Sequence, residues 1–158
     1  IVTQINERKR IKDNAFKLAE LAEHLEGAEF LNLKDSGRWL IKDGQLDLVK
    51  KSKAKRGYGY LLDNVFLWTR ERKIPTSFKK VKYIKYTISL DKSTVQESAK
   101  NTPESFVFAD IEKKKKFVFR APTVQTKKEW MDQLSAIITK SIHKLAEQNN
   151  NADGSQLA

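Results

Sequence analysis

Thr126-Lys127-Lys128-Glu129-Trp130-Met131-Asp132-Gln133-Leu134-Ser135-Ala136-Ile137-Ile138-Thr139-Lys140 is the strong helical signal of the second half of the chain. Thr126 and Glu129 have the spacing of a capping box, in which the Thr hydroxyl takes an orphan amide and the Glu reaches back to the cap. From there Trp130, Leu134, Ile137, Ile138, Ile142 and Leu145 recur on one face, while Lys127, Lys128, Asp132, Gln133 and Lys140 take the other. The apolar stripe has to be buried against something. Upstream the apolar period changes from helical to two over residues 45–50, 58–62, 65–70, 81–90, 105–111 and 116–120, short runs rich in β-branched, aromatic and aliphatic side chains. Asp63-Asn64 reads as a tight hairpin connection and Asp43-Gly44 as the turn that introduces the first strand. The pattern predicts an antiparallel meander closed by one C-terminal helix.

A second helical pattern occupies residues 4–26, with Ile11, Ala15, Leu18, Ala22 and Leu25 on one stripe and Gly27 as its stop. A helix of this kind at the edge of a domain needs a surface for its stripe. At 158 residues the chain suffices for one ordinary domain but not for two. It begins with Ile1 rather than Met, as expected of a piece of a longer protein, and residues 147–158 are polar enough to predict a disordered tail. With no cysteine, disulfides and thiolate metal sites are excluded and an intracellular location is the default expectation.

The formal net charge of +11 is unevenly distributed. Residues 34–90 hold 15 Lys and Arg against 5 Asp and Glu, whereas the remainder of the chain holds 16 against 15. A basic surface in that region favours phosphate-bearing partners, either an anionic membrane or nucleic acid. Five cations fall within seven positions at Lys50, Lys51, Lys53, Lys55 and Arg56, and such a group has to project into solvent or onto an anion. A second group comprises Arg70, Arg72, Lys73, Lys79, Lys80, Lys82 and Lys85, and Lys113–Lys116 reads as a turn with exposed cations. Tyr58, Tyr60, Tyr83 and Tyr86 interleave with these cations as stacking platforms do in nucleic-acid binders, although strand propensity accounts for them equally well. No nucleic-acid partner is expected.

Nothing in the chain points to catalysis. His24 and His143 lie on separate helices without metal-ligand spacing, so no metal and no cofactor are expected. Gly57-Tyr58-Gly59 lacks the strand-to-helix setting of a dinucleotide fingerprint, and alternation near a turn explains Asp110 and Glu112 without acid–base chemistry. The reading is of a non-enzyme.

Two β-segments divided by a basic loop, further strands and a last helix bearing Trp130 together resemble the pleckstrin homology (PH) domain. The segment from Gly37 to Leu46, GRWLIKDGQL, is similar to the entry into PH domains of Dbl-family Rho guanine nucleotide exchange factors, and Ile5–Gly27 is similar to the last helix of the Dbl homology (DH) domain that precedes them. The resemblance implies a mainly β fold with helices: a seven-stranded, bent antiparallel sandwich or barrel capped by the C-terminal helix, whose Trp130 has the structural role of closing one end. It divides the chain into a terminal DH helix (1–27), a linker (28–37), a PH domain (38–146) and the tail (147–158). It further implies a phosphoinositide- and anionic-membrane-binding regulatory module without exchange activity of its own, monomeric, cytoplasmic and peripheral at the inner plasma membrane. The alternative it leaves open is a protein-interaction module that binds a Rho-family GTPase, a cytoskeletal partner or its own DH domain.

The lipid-binding residues implied are Lys50, Lys51, Lys53, Lys55, Arg56 and Arg70. The family's lipid signature asks for a Lys ending the first strand, then a basic residue, any residue and an Arg opening the second strand. Lys50 and Arg56 match it, but Tyr58 stands where the Arg would be. A phenol cannot replace a bidentate guanidinium fork. The expectation is therefore weak, charge-driven binding at about 1 kcal/mol per cation near the leaflet, or a dissociation constant around millimolar from four or five of them.

Overall fold

The computed structural model describes residues 2–28, 38–51, 53–98 and 102–156. Most of the expected linker, Gly37 and Ser52 lie outside the described residues. Helix α1 (Val2–His24) is followed by strands β1 (Leu25–Glu26), β2 (Leu40–Gln45), β3 (Asp47–Lys50), β4 (Lys53–Lys55), β5 (Tyr58–Leu62), β6 (Val65–Lys73) and β7 (Lys80–Ser89). A 3-10 turn (Leu90–Lys92) then leads to β8 (Ser93–Glu97), β9 (Ser105–Asp110), β10 (Lys115–Arg120) and helix α2 (Val124–Gln156). The strands form two five-stranded sheets, ordered β1-β7-β6-β5-β2 and β4-β3-β10-β9-β8. The chain leaves the first sheet at Leu46 and returns at Arg56 and Gly57, so β2 and β3 are two parts of one run and so are β4 and β5. Counted as runs and without the short β1, the strands number seven, and the mainly β expectation with a helix at each end holds.

Residues 1–45 and 56–87 make one compact unit, and residues 46–55 and 88–158 make a second. In the first unit Leu18, Leu21, Ala22 and Leu25 pack against Tyr60, Leu62, Val65, Leu67 and Ile84. Asn14 fastens the helix further up: its amide donates to the Arg38 carbonyl at 2.9 Å, and its own oxygen accepts from the Leu40 amide at 2.9 Å. Only the C-terminal part of the expected stripe is used, since Ile11 and Ala15 are exposed. Leu25 is not helical either. It opens β1, which pairs parallel to β7 with Leu25 opposite Lys82, an exception to the predicted antiparallel meander. Gly27 ends that excursion in the left-handed region at φ 95°, where a glycine is at ease and a side chain is not.

The Asp63-Asn64 hairpin is present, joining β5 to β6 with Leu61 opposite Phe66. Asp43-Gly44, in contrast, is no turn; both residues lie within β2, opposite Tyr60 and Gly59. Ladder hydrogen bonds to β5 override the local turn preference. Trp68 is fully buried and stacks on Tyr86 at 5.9 Å. Gly57 follows from that ring: a Cβ there would lie 2.3 Å from the indole, closer than any side chain is accommodated.

The core of the second unit is a cross-strand block of four phenylalanines. Phe117 sits opposite Phe108 and Phe119 opposite Phe106, with Phe119 in ring contact with the other three at 5.9–6.5 Å. Helix α2 packs on β8 and the 3-10 turn through Trp130, Leu134 and Ile138, all buried. Its cap is one turn earlier than predicted: the Thr123 hydroxyl accepts the Thr126 amide at 3.1 Å, so Thr126 is inside the helix. Lys127, assigned by period to the polar face, is only 7% exposed. Its ammonium donates to the Glu97 carboxylate at 2.5 Å and to the Pro103 carbonyl at 2.9 Å, which satisfies the buried charge. Ile142 is exposed, the Leu145 side chain lies outside the described residues, and the helix continues through Gln156 across most of the expected tail.

Candidate functional site

The cations named from the sequence fall into two places. Lys50, Lys51, Lys53 and Lys55 belong to the β3–β4 hairpin of the second unit, where Lys50 is opposite Lys53 and Leu48 opposite Lys55. What read as a loop from Lys50 to Gly57 is thus a strand pair with a short tip, and Lys51 takes the left-handed conformation (φ 47°) that turns the chain. All four lysines are exposed. Along β4 the side chains of Lys53, Ala54 and Lys55 are all exposed, and charge on this edge strand discourages pairing with another chain.

Arg56 and Arg70 belong to the first unit, where they border a cleft of about 560 Å³ formed by the start of β5, the end of β6 and the start of β7. Arg72, Lys73, Lys80 and Lys82 line the same cleft, so the second basic group of the sequence meets Arg56 through strand pairing. Arg70 is half-buried, and its Nε is a buried donor without a hydrogen-bond partner among the described residues. Arg72 is engaged, donating to Glu26 at 2.5 Å with its guanidinium 6.0 Å over the Tyr83 ring.

Tyr58, the departure from the lipid signature, occupies one wall. Its hydroxyl donates to Asp43 at 3.2 Å, its carbonyl accepts from the buried Thr69 hydroxyl at 2.9 Å, and its ring lies 5.0 Å from that of Tyr60. The Lys82 ammonium stands 4.1 Å over the Tyr58 ring and donates to the Tyr60 hydroxyl at 3.1 Å. Burial first, then the Asp43 carboxylate, push the Tyr58 phenol up to about 12; burial, Asp43 and Glu71 do the same to Tyr60. Both phenols are therefore neutral at physiological pH, Tyr58 donating to Asp43 and Tyr60 accepting from Lys82. Asp43 was legible only as a turn residue; its role depends on the register that sets Asp43 opposite Tyr60 and Gln45 opposite Tyr58.

The carboxylates considered for catalysis are structural. Buried Asp110 accepts the Lys113 amide at 3.2 Å, and Glu112 pairs with Lys92 at 3.1 Å. The turn expected at Lys113–Lys116 lies earlier, at residues 111–114 with Lys114 left-handed at φ 53°, and Lys115 and Lys116 already belong to β10; all four lysines are exposed. Among the described residues no group of three His, Cys, Asp or Glu side chains could hold a metal ion, and no helix is long and apolar enough to cross a membrane.

Over residues 33–137 the chain matches the SOS1/NGEF-like PH domain. It is 26% identical over 136 residues to the Rac guanine nucleotide exchange factor JJ of Dictyostelium discoideum, an alignment spanning 83% of this chain and 11% of that protein. The chain thus corresponds to about a tenth of that relative's length. Among solved structures it is similar to the N-terminally truncated linker-DH/PH domains of p115-RhoGEF, with TM-score 0.72 and 20% identity over 87% of this chain and 43% of that one. It is also similar to the PDZ-RhoGEF DH/PH domains in complex with GTP-γ-S-activated RhoA, with TM-score 0.69 and 17% identity over 87% of this chain and 42% of that one. These structural likenesses establish a common fold, and they agree with the resemblance carried by the GRWLIKDGQL segment and the Trp130 helix.

Proposed function

The chain belongs to the SOS1/NGEF-like PH domain family, and from that premise we propose that it is the anionic-membrane-binding, regulatory PH module of a Rho-family exchange factor, without exchange activity of its own. The observation that carries the lipid part is the gathering of Arg56, Arg70, Arg72, Lys73, Lys80 and Lys82 around one cleft. The half-buried Arg70 lines this cleft beside Arg56, Lys73 and Lys80, whose exposed charge can meet a phosphate oxygen. The lysines of the β3–β4 hairpin add long-range attraction to an anionic leaflet. Tyr58 and Asp43 work against a tight stereospecific fit, since a phenol replaces a guanidinium and a carboxylate stands beside it. The reading is thus of weak binding to phosphoinositides and other anionic lipids at the cytoplasmic face of the plasma membrane. Under this reading residues 1–27, 28–37 and 38–146 serve as DH-like helix, linker and PH domain, and helix α2 runs on beyond residue 146 to Gln156.

Co-sedimentation with neutral, phosphatidylserine-containing and phosphoinositide-containing vesicles tests it. Binding to the charged vesicles with steep loss at higher salt is expected, and absence of binding to all three would discard the lipid reading. A second reading is favoured by one observation: several similar DH/PH structures are complexes with RhoA. Under it the module contacts a Rho-family GTPase, and retention of such a GTPase on the immobilised chain without lipid is the result that supports it.

A further inference from the structure

The connection between β6 and β7 carries a residue that the fold does not need there. Ile74 donates its amide to the Lys79 carbonyl at 3.0 Å, and Ser77 donates to the Ile74 carbonyl at 3.3 Å, so Ile74-Pro75-Thr76-Ser77 is a turn and Phe78 is the residue that returns the chain to the ladder. Phe78 does so in the left-handed region, at φ 55°. A turn followed by one left-handed residue is a common hairpin connection, and glycine is the residue that suits that position. Here an aromatic residue occupies it, at a backbone conformation that is unfavourable for a bulky side chain. The ring gains nothing in return from this chain, since 93% of the residue is exposed.

Single exposed apolar residues are ordinary on protein surfaces. Phe78 differs because exposure, backbone strain and charge coincide. Exposed Lys73, Lys79 and Lys80 surround it in sequence, and no carboxylate occurs between Glu71 and Asp91. An apolar tip within a cationic collar fits a partner that is anionic at its surface and apolar a few ångströms beneath, which is the profile of an anionic leaflet. A protein groove would need its own carboxylates arranged around an apolar pocket. Lys73 and Lys80 also line the cleft with Arg56 and Arg70, so a leaflet that receives the tip lies within reach of the same cations.

We propose that the β6–β7 hairpin is a membrane-insertion tip in which Phe78 enters the headgroup–acyl boundary of an anionic bilayer while Lys73, Lys79 and Lys80 engage lipid phosphates. This rests on the membrane reading above and adds to it an apolar anchor outside the lipid signature.

The chain contains no cysteine, so Thr76→Cys places a single environment-sensitive fluorophore on the tip. With phosphatidylserine-containing vesicles the fluorophore should shift to the blue and be quenched by shallow spin-labelled lipids. Phe78→Gly removes the ring and relieves the backbone, so its thermal midpoint should equal or exceed the parent's. Its partition onto the vesicles should weaken about five- to tenfold, as expected for losing a half-buried aromatic ring. That ratio should hold from low to physiological salt, because the term removed is apolar. Equal, salt-sensitive binding of parent and Phe78→Gly, or a fluorophore that stays in water while the chain binds, overturns the insertion tip and leaves the charge-driven reading standing. No binding of either protein to charged vesicles overturns both. Unchanged vesicle binding with loss of a captured GTPase in Phe78→Gly reassigns the tip to protein docking.

Discussion

The β3–β4 hairpin and the cleft of the first unit are both basic, yet they present charge in different ways. Lys53 and Lys55 stand on an edge strand with every side chain exposed, Lys50 and Lys51 approach and turn the tip, and salt screens charges so placed. In the cleft the cations have neighbours that fix them: Lys82 rests on Tyr58 and Tyr60, Arg72 is paired with Glu26, and Arg70 is half-buried. Charge on the hairpin can attract any anionic surface, whereas charge in the cleft can select a shape. A basic run therefore does not by itself indicate specificity; that depends on which cations the fold immobilises.

The largest expected effect separates the two regions. Replacing the hairpin's Lys50, Lys51, Lys53 and Lys55 together by Glu, with Arg56 of the cleft left in place, should weaken sedimentation with phosphatidylserine vesicles by about 100-fold or more, from roughly 1 kcal/mol per cation lost and further repulsion. The urea midpoint should hardly move, because exposed substitutions cost within about 0.5 kcal/mol. If binding persists, the hairpin is removed from the mechanism and the cleft is left to carry it.

Gly57→Ala probes where the hairpin run re-enters the first sheet. A methyl group 2.3 Å from the Trp68 indole forces the ring or the strand to move. The expected loss of stability is about 2–3 kcal/mol by chemical denaturation. An unchanged midpoint would mean that Trp68 yields freely and that the cleft wall is softer than its burial implies.

Tyr58→Arg restores the missing member of the lipid signature, but Asp43 stands 3.2 Å from the present hydroxyl and would capture the guanidinium. The single substitution should change phosphoinositide affinity by less than about threefold, whereas Tyr58→Arg with Asp43→Asn should raise it about tenfold, the worth of one charge-assisted bond. Isothermal titration with a soluble inositol phosphate distinguishes them. A tenfold gain in the single variant would show that Asp43 is no obstacle.

The smallest effect is alkaline. The Tyr58 and Tyr60 phenols sit at about 12 in the folded chain against an ordinary 10, so the folded state holds these protons more tightly than the unfolded one. Their contribution to stability is complete below pH about 10 and is lost as pH rises towards about 12. Tyr58→Phe should flatten the decline measured by urea unfolding across that window, and an equal slope in both proteins would mean that burial and Asp43 together do not raise this phenol.

Much of this organisation was legible in residue patterns. Alternation marked β9 and β10 because their apolar side chains face a core at every second position, as Phe106, Phe108, Phe117 and Phe119 do, whereas β5 was marked by its aromatic and aliphatic composition and is buried at four consecutive residues. Strand β8 was missed because Ser-Thr-Val-Gln-Glu carries one apolar residue; it is an edge strand whose first side chain, Ser93, is buried through a 3.1 Å bond to the Leu90 carbonyl. Lys127 was misread because period alone cannot foresee that Glu97 and the Pro103 carbonyl will meet its ammonium. On the site side, Arg56 and Arg70, named from the sequence as lipid-binding, line one cleft in the structure, while Asp43 and Lys82 acquire their positions from strand pairing.

By itself the sequence determined the class of the fold, the two terminal helices and the concentration of positive charge between residues 34 and 90, because periodicity and composition are local properties. Tertiary structure alone decided that Tyr58 is tied to Asp43, that Arg56 shares a cleft with residues of β6 and β7, and that Phe78 stands exposed on a left-handed turn. The first two depend on which strands pair and in which register, where a shift of one residue turns a side chain to the opposite face, and the third depends on the geometry of the turn that joins β6 to β7.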